Sequence, residues 1–185
     1  MSILESLFGG TRRPPSREEQ LIALSTAAVT LQAELGLVPT GQAGLVIRPI
    51  DSEEYRRAEA ELAGLLEIAG RETGATITER NDSYGYRWIM ITDDEIADLV
   101  STAYSVSLEL RDAGFGDQVL AAAFGFKRAD GAHVYWLYNF KRAAFYPFVP
   151  QPDGATRDTA HELQLSAALG RELRVEPDQA RWYPM

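Results

Sequence analysis

The sequence predicts an α+β fold, an antiparallel β-sheet packed against α-helices in two layers. Two observations lead there. Apolar residues recur at helical spacing in some segments and alternate with period two in others. The period-two runs come in adjacent pairs joined by short turns rich in Asn, Asp and Gly, and such turns connect antiparallel neighbours. A third observation sets the size. The 185 residues, 45% of them apolar, suit one hydrophobic core. The expected organisation is a tail over 1–15 and a single α+β domain over 16–185.

In the tail, Ile3, Leu4, Leu7 and Phe8 share one side of a short helical turn that Gly9-Gly10 ends. It reads either as a docking peptide or as a frayed terminus. Helix one opens on a capping box, Ser16 with Glu19, and carries Leu21, Leu24, Ala28, Leu31 and Leu35 to a stop at Gly36. Pro39-Thr40-Gly41 reads as a turn, and 44–48 as a short strand. Helix two is expected over about 52–70, with Asp51 and Glu54 at capping spacing and a stripe of Tyr55, Ala58, Leu62, Leu65, Leu66 and Ala69. Strands over 75–80 and 86–92 flank the loop 81–85. Helix three is expected over about 93–113, capped by Thr92 with Glu95 and ended at Gly114. Strands over 118–127 and 132–140 flank the turn Ala129-Asp130-Gly131. A further strand over 145–149 has to lie at an edge or bulge, because Pro147 cannot donate to a ladder. A helix near 156–169, a short strand at 173–175 and an apolar end that packs back complete the chain. The element order is similar to that of the two-layer secretion chaperones, a likeness of fold that does not by itself assign function.

Composition excludes several chemistries. With no Cys, disulfides, thiol nucleophiles and Cys-ligated metals are out. The two His, His133 and His161, lack the spacing of a metalloprotease motif, and no Gly-x-Ser-x-Gly elbow or phosphate loop occurs. Net charge is −9, and residues 1–100 hold 9 Lys+Arg against 17 Asp+Glu. Such a surface repels phosphate backbones, so no nucleic-acid partner is expected. The longest uncharged run, Gln20–Ala33, is too short and too polar to span a bilayer. The first residues lack a basic stretch, which points to a cytoplasmic protein. Asp94 and Asp98, four apart within Asp93-Asp94-Glu95 and Asp98, are the one hard-cation candidate pair. Carboxylates also gather at helix starts for purely electrostatic reasons. No catalytic residue and no cofactor are expected.

The densest signal is aromatic. Over 132–140, Val134, Trp136, Tyr138 and Phe140 face one way, and Tyr135 and Leu137 face the other. Tyr146 follows, and Trp182 and Tyr183 lie near the end. One helix layer covers one sheet face. Either the C-terminal segment covers the second face, or that face meets a partner. The candidate partner-binding residues are Tyr135, Trp136, Tyr138, Lys141, Arg142, Tyr146, Trp182 and Tyr183. Lys141 and Arg142 read either as a pair that grips a carboxylate or stacks on rings, or as charges that only solvate the turn.

The same segments carry a family resemblance. Leu24-Ser25-Thr26-Ala27, Thr30-Leu31 and Glu34-Leu35-Gly36 are followed by Tyr84-Gly85-Tyr86 with Trp88 and by Gly114-Phe115-Gly116. The longest stretch runs from Tyr135-Trp136-Leu137-Tyr138-Asn139-Phe140-Lys141-Arg142 to Tyr146-Pro147-Phe148-Val149-Pro150, and Trp182-Tyr183-Pro184 closes it. From about residue 21 onward the chain resembles the phage-shock-protein-A-associated protein B family (PspAB) of actinobacteria and archaea. The resemblance implies a non-enzymatic, regulatory, protein-binding module of the phage-shock envelope-stress response. It implies a protein partner, either the PspA-type coiled-coil protein or a membrane metalloprotease, and a peripheral position at the inner membrane face through that partner. Two alternatives stay open on the residues alone. One is a small-molecule sensor or enzyme with a pocket between sheet and helices. The other is a homodimeric chaperone-like module.

Overall fold

The computed structural model of the chain describes residues 16–49, 53, 63–64, 66–68, 70–71, 73–153 and 156–183. The expected tail lies outside the described residues, as does most of the helix expected over about 52–70. Of that helix's stripe, Leu66 is described, helical and buried.

The Ser16 capping box forms as written. The Glu19 amide donates to Ser16 Oγ (3.1 Å), and the Ser16 amide donates to a Glu19 carboxylate oxygen. A tight 3-10 turn, Glu19–Ile22, leads into α1 (Ala23–Ala33). The strands are β1 (Val38–Ile47), β2 (Thr76–Asn81), β3 (Arg87–Thr92), β4 (Val119–Lys127), β5 (His133–Asn139) and β6 (Ala144–Phe148). The other helices are α2 (Ile96–Leu110) and α3 (Thr159–Leu169). The six strands form one sheet in the order β2-β3-β1-β4-β5-β6, with each neighbouring pair antiparallel.

Two expectations need correction. Pro39-Thr40-Gly41 does not reverse the chain. It lies inside β1, where the register against β4 shifts between Pro39 and Ala43. Gly41 has φ +74 there, so turn chemistry has been used for a bulge. Helix α2 starts at Ile96 with Glu95 at its cap, not near 93 capped by Thr92. Thr92 is held in β3, paired to Gln42 and Thr76. The segment after Leu110 widens into a looser turn, Arg111–Phe115, that Gly114 closes.

One face of the sheet meets the helices. Leu45, Ile47, Ile89, Ile91, Phe124, Phe126, Trp136 and Tyr138 pack with Leu24, Leu31, Leu99, Val106, Leu165 and Leu169 in one cluster. Each fully buried large apolar side chain contributes about 1.5–3 kcal/mol. The opposite face holds a smaller cluster of Ala123, Leu137, Tyr146, Phe148 and Trp182. The C-terminal segment reaches it by running past the edge of β6. Phe145 pairs in parallel with Val175, which realises the strand expected at 173–175 as a single bridge. That bridge, with Pro147, leaves β6 a blunted edge.

Burial shapes the titration of two tyrosines. It pushes the Tyr146 hydroxyl up to about 12 from an ordinary value of 10.0, and it raises Tyr138 in the same direction. The folded state therefore favours the neutral phenol. Its contribution to stability is complete below pH 10 and is lost as pH climbs from 10 towards 12. The denaturant midpoint is expected to fall across that interval, and Tyr146→Phe is expected to flatten the fall. An unchanged profile in that variant would show that Tyr146 does not carry it.

Candidate functional site

The second sheet face is divided. Over β5 and β6 it is sealed by the C-terminal segment, in a cluster that also takes in Ala123 of β4, and towards β1 and β3 the described residues leave a depression. This depression, of about 310 Å³, is lined at β1 and β4 by Thr40, Gln42, Ala43, Ala123 and Gly125. Trp88, Arg80 and Tyr84 border it on the β2–β3 side, and Tyr135 and His133 on the β5 side.

Small residues make this shape. A Cβ on Gly44 would stand 3.0 Å from the Trp88 ring and 3.2 Å from Met90 Sδ, so its absence lets the indole lie down over β1. A Cβ on Gly125 would meet Thr40 Oγ1 at 2.5 Å. That hydroxyl instead donates to the Gly125 carbonyl at 3.1 Å. Trp88 is fixed on its outer side by the β2–β3 loop. Its indole N–H donates to Asp82 at 3.0 Å, while the Tyr84 and Tyr86 amides donate to the same carboxylate. These bonds, the indole one foremost, hold the Asp82 carboxyl below its ordinary range. The Arg80 guanidinium sits 5.5 Å from the Trp88 ring centroid, a contact worth about 0.5–1 kcal/mol at an exposed site. Tyr84 projects into solvent, 84% exposed. On the opposite wall Tyr135 stacks on His133, with centroids 6.0 Å apart.

The aromatic candidates separate accordingly. Trp136 and Tyr138 are completely buried on the helix side, and Tyr146 and Trp182 are buried in the second cluster. They form no accessible surface, because the alternation turns the first two into the main core and the returning chain covers the others. The Trp182 indole N–H donates to the Glu176 carbonyl at 2.9 Å. Tyr183 and Lys141 are exposed, and Tyr135 and Arg142 are partly so. Of the candidate set, the groove takes Tyr135 alone. Lys141 and Arg142 lie elsewhere, in a basic depression. Asp94 precedes α2, and Asp98 lies in its first turn, so the two do not share a helical face. Among the described residues no group of three or more His, Asp or Glu is arranged to hold a metal ion. His161 lies in the first turn of α3, near Arg128 and far in sequence from His133.

The residues that the sequence reading passed over are Arg80, Asp82, Gly44 and Gly125. A weak signal was present: Asp82 lies six residues before Trp88 across a turn, a spacing that lets a carboxylate reach back to an indole. Nothing local marks the two glycines as neighbours.

The chain as a whole was compared with known proteins. The model of the family described as PspA associated protein B matches residues 1–185, the whole chain. The chain belongs to the PspA-associated protein B family. The match takes in the first residues too, which lay outside the resemblance drawn from the motifs. No curated protein and no solved structure gives a significant match. The PspA-associated protein B family is not a known enzyme family, and its name ties it to a PspA-related role. Among the described residues, no helix is long and apolar enough to cross a membrane.

Proposed function

We propose that this member of the PspA-associated protein B family is a non-enzymatic, regulatory binding module of the phage-shock response. Its partner is the PspA-type coiled-coil protein, and it takes one amphipathic helix of that protein across the open sheet groove. The observation that carries the reading is the depression left on the second sheet face, where Trp88 and Tyr135 border the small residues Ala123 and Gly125. Small residues at Ala123 and Gly125 let a helix approach closely, and Trp and Tyr are among the residues that most often dominate binding energy. The family name supports the choice of partner. In this reading the protein is cytoplasmic and meets the inner membrane face through its partner.

The test is titration of purified PspA-type protein with variants. Tyr84→Ala and Trp88→Ala are each expected to weaken binding by about thirtyfold, the loss typical of a hot-spot ring. Tyr84 makes no core contact, so its variant folds whatever happens at Trp88. Undiminished binding by a folded Tyr84→Ala, Trp88→Ala double variant would move the contact away from the groove. A concentration-dependent mass of twice the monomer, lost in the same variants, would instead assign the groove to a second copy and overturn the choice of partner.

A further inference from the structure

The turn between β5 and β6 and the returning C-terminal segment enclose a second depression, of about 360 Å³. It shares no lining residue with the sheet groove. Lys141 and Arg142 enter it from the turn, and Arg174 and Arg181 from the C-terminal segment. Four cations thus face one lining carboxylate, Glu176, on a protein whose net charge is −9.

Glu176 is buried, and it lies 3.7 Å from Arg142 Nε and 3.7 Å from Arg181 Nη1. These separations hold the guanidiniums by charge, yet they exceed hydrogen-bond length, so the N–H groups stay available to a guest. Arg181 also pairs at 2.9 Å with Asp178, which is not among the lining residues. Among the described residues, Lys141 and Arg174 have no ion-pair partner. The lining therefore keeps an excess of three positive charges, or two when Asp178 is counted. The turn that presents Lys141 and Arg142 is held rigidly. Among the described residues Ala143 is the one non-glycine residue at positive φ (+52), and the Arg142 amide donates to both Asn139 oxygens at 3.2 Å.

We propose that this basket is an anion site for a phosphoryl dianion, either a free phosphate compound or a phosphate-bearing lipid headgroup. A dianion matches the residual charge. Three guanidinium forks suit a tetrahedral oxyanion better than a single carboxylate, a role Glu176 already fills within the pocket. The site is independent of the groove and of the partner assigned to it.

The experiment uses the full chain in two arms. Calorimetric titration with inorganic phosphate and with pyrophosphate measures the free anion. Co-sedimentation with phosphatidylcholine vesicles, with and without phosphatidic acid, measures the headgroup. Lys141→Ala and Arg174→Ala both alter exposed side chains, and each is expected to weaken binding at least about tenfold, as for a lost charged hydrogen bond. Rising salt is expected to weaken it as well. Solution binding that depends on these residues supports a free phosphate compound, and binding to phosphatidic acid vesicles alone, with the same dependence, supports the headgroup. Absence of binding in both arms, or binding untouched by either variant, overturns the proposal.

Discussion

Glu162→Ala is expected to cost the fold about 3–5 kcal/mol, the loss that follows when one partner of a buried ion pair is removed. Glu162 has no exposed surface, and its carboxylate takes the Arg157 Nε–H at 2.8 Å and the Val149 amide at 2.8 Å. Arg157 in turn donates to the Trp182 carbonyl at 2.5 Å and to the Pro147 carbonyl at 3.4 Å, and it lies 5.4 Å from the Phe148 ring centroid. One guanidinium therefore ties α3, β6 and the C-terminal segment together. Removing the carboxylate leaves that cation, three-quarters buried, without its counter-charge and the Val149 N–H without its acceptor. Urea unfolding measures the loss. The Trp182 cover is expected to loosen first, with near-ultraviolet dichroism falling before global unfolding. A cost below about 1 kcal/mol, the range of a surface pair, would show that the clip does not hold the cover.

Trp136→Ala is expected to cost a similar amount, about 3–5 kcal/mol, by opening a cavity in the main core. Trp136 is fully buried between Phe124 and Pro147 of the neighbouring strands. Its indole N–H finds no hydrogen-bond partner among the described residues. Trp136→Phe removes that unpaired donor along with some volume, so the two effects oppose each other. The Phe variant is expected to retain most of the stability that the Ala variant loses. Equal losses from both would contradict this, because they would trace the cost to the indole N–H that both variants remove and not to the cavity that only the Ala variant opens. Either variant that folds is expected to bind partner as the parent does, because Trp136 reaches no surface.

The strands, their pairing and the main core were legible because each rests on local chemistry. The Asp130-Gly131 turn, the Ser16–Glu19 box and the β5 alternation act within a few residues, and all three formed as read. The bulge at Gly41 was hidden because a glycine at positive φ serves a turn and a bulge equally well. The start of α2 shifted because Thr92 had a better use in the sheet than as a cap. At the site the surplus of rings was legible and its allocation was not. Whether a ring on the second face is sealed depends on where the chain returns after α3, and that return is fixed by Arg157, Glu162 and the Phe145–Val175 bridge. The basic basket was half legible: Lys141 and Arg142 stood out, while Arg174, Arg181 and Glu176 join them only through the same return.

The chain has three tryptophans, and the fold gives them three fates: Trp136 in the main core, Trp182 under the returning segment, and Trp88 at the groove. Indole N–H resonances, followed while the PspA-type protein is added, therefore report directly on the docking face. Helix binding in the groove moves or broadens the Trp88 signal at stoichiometric partner and leaves Trp136 and Trp182 in place. A saturating complex in which the Trp88 signal stays still would place the contact on another surface.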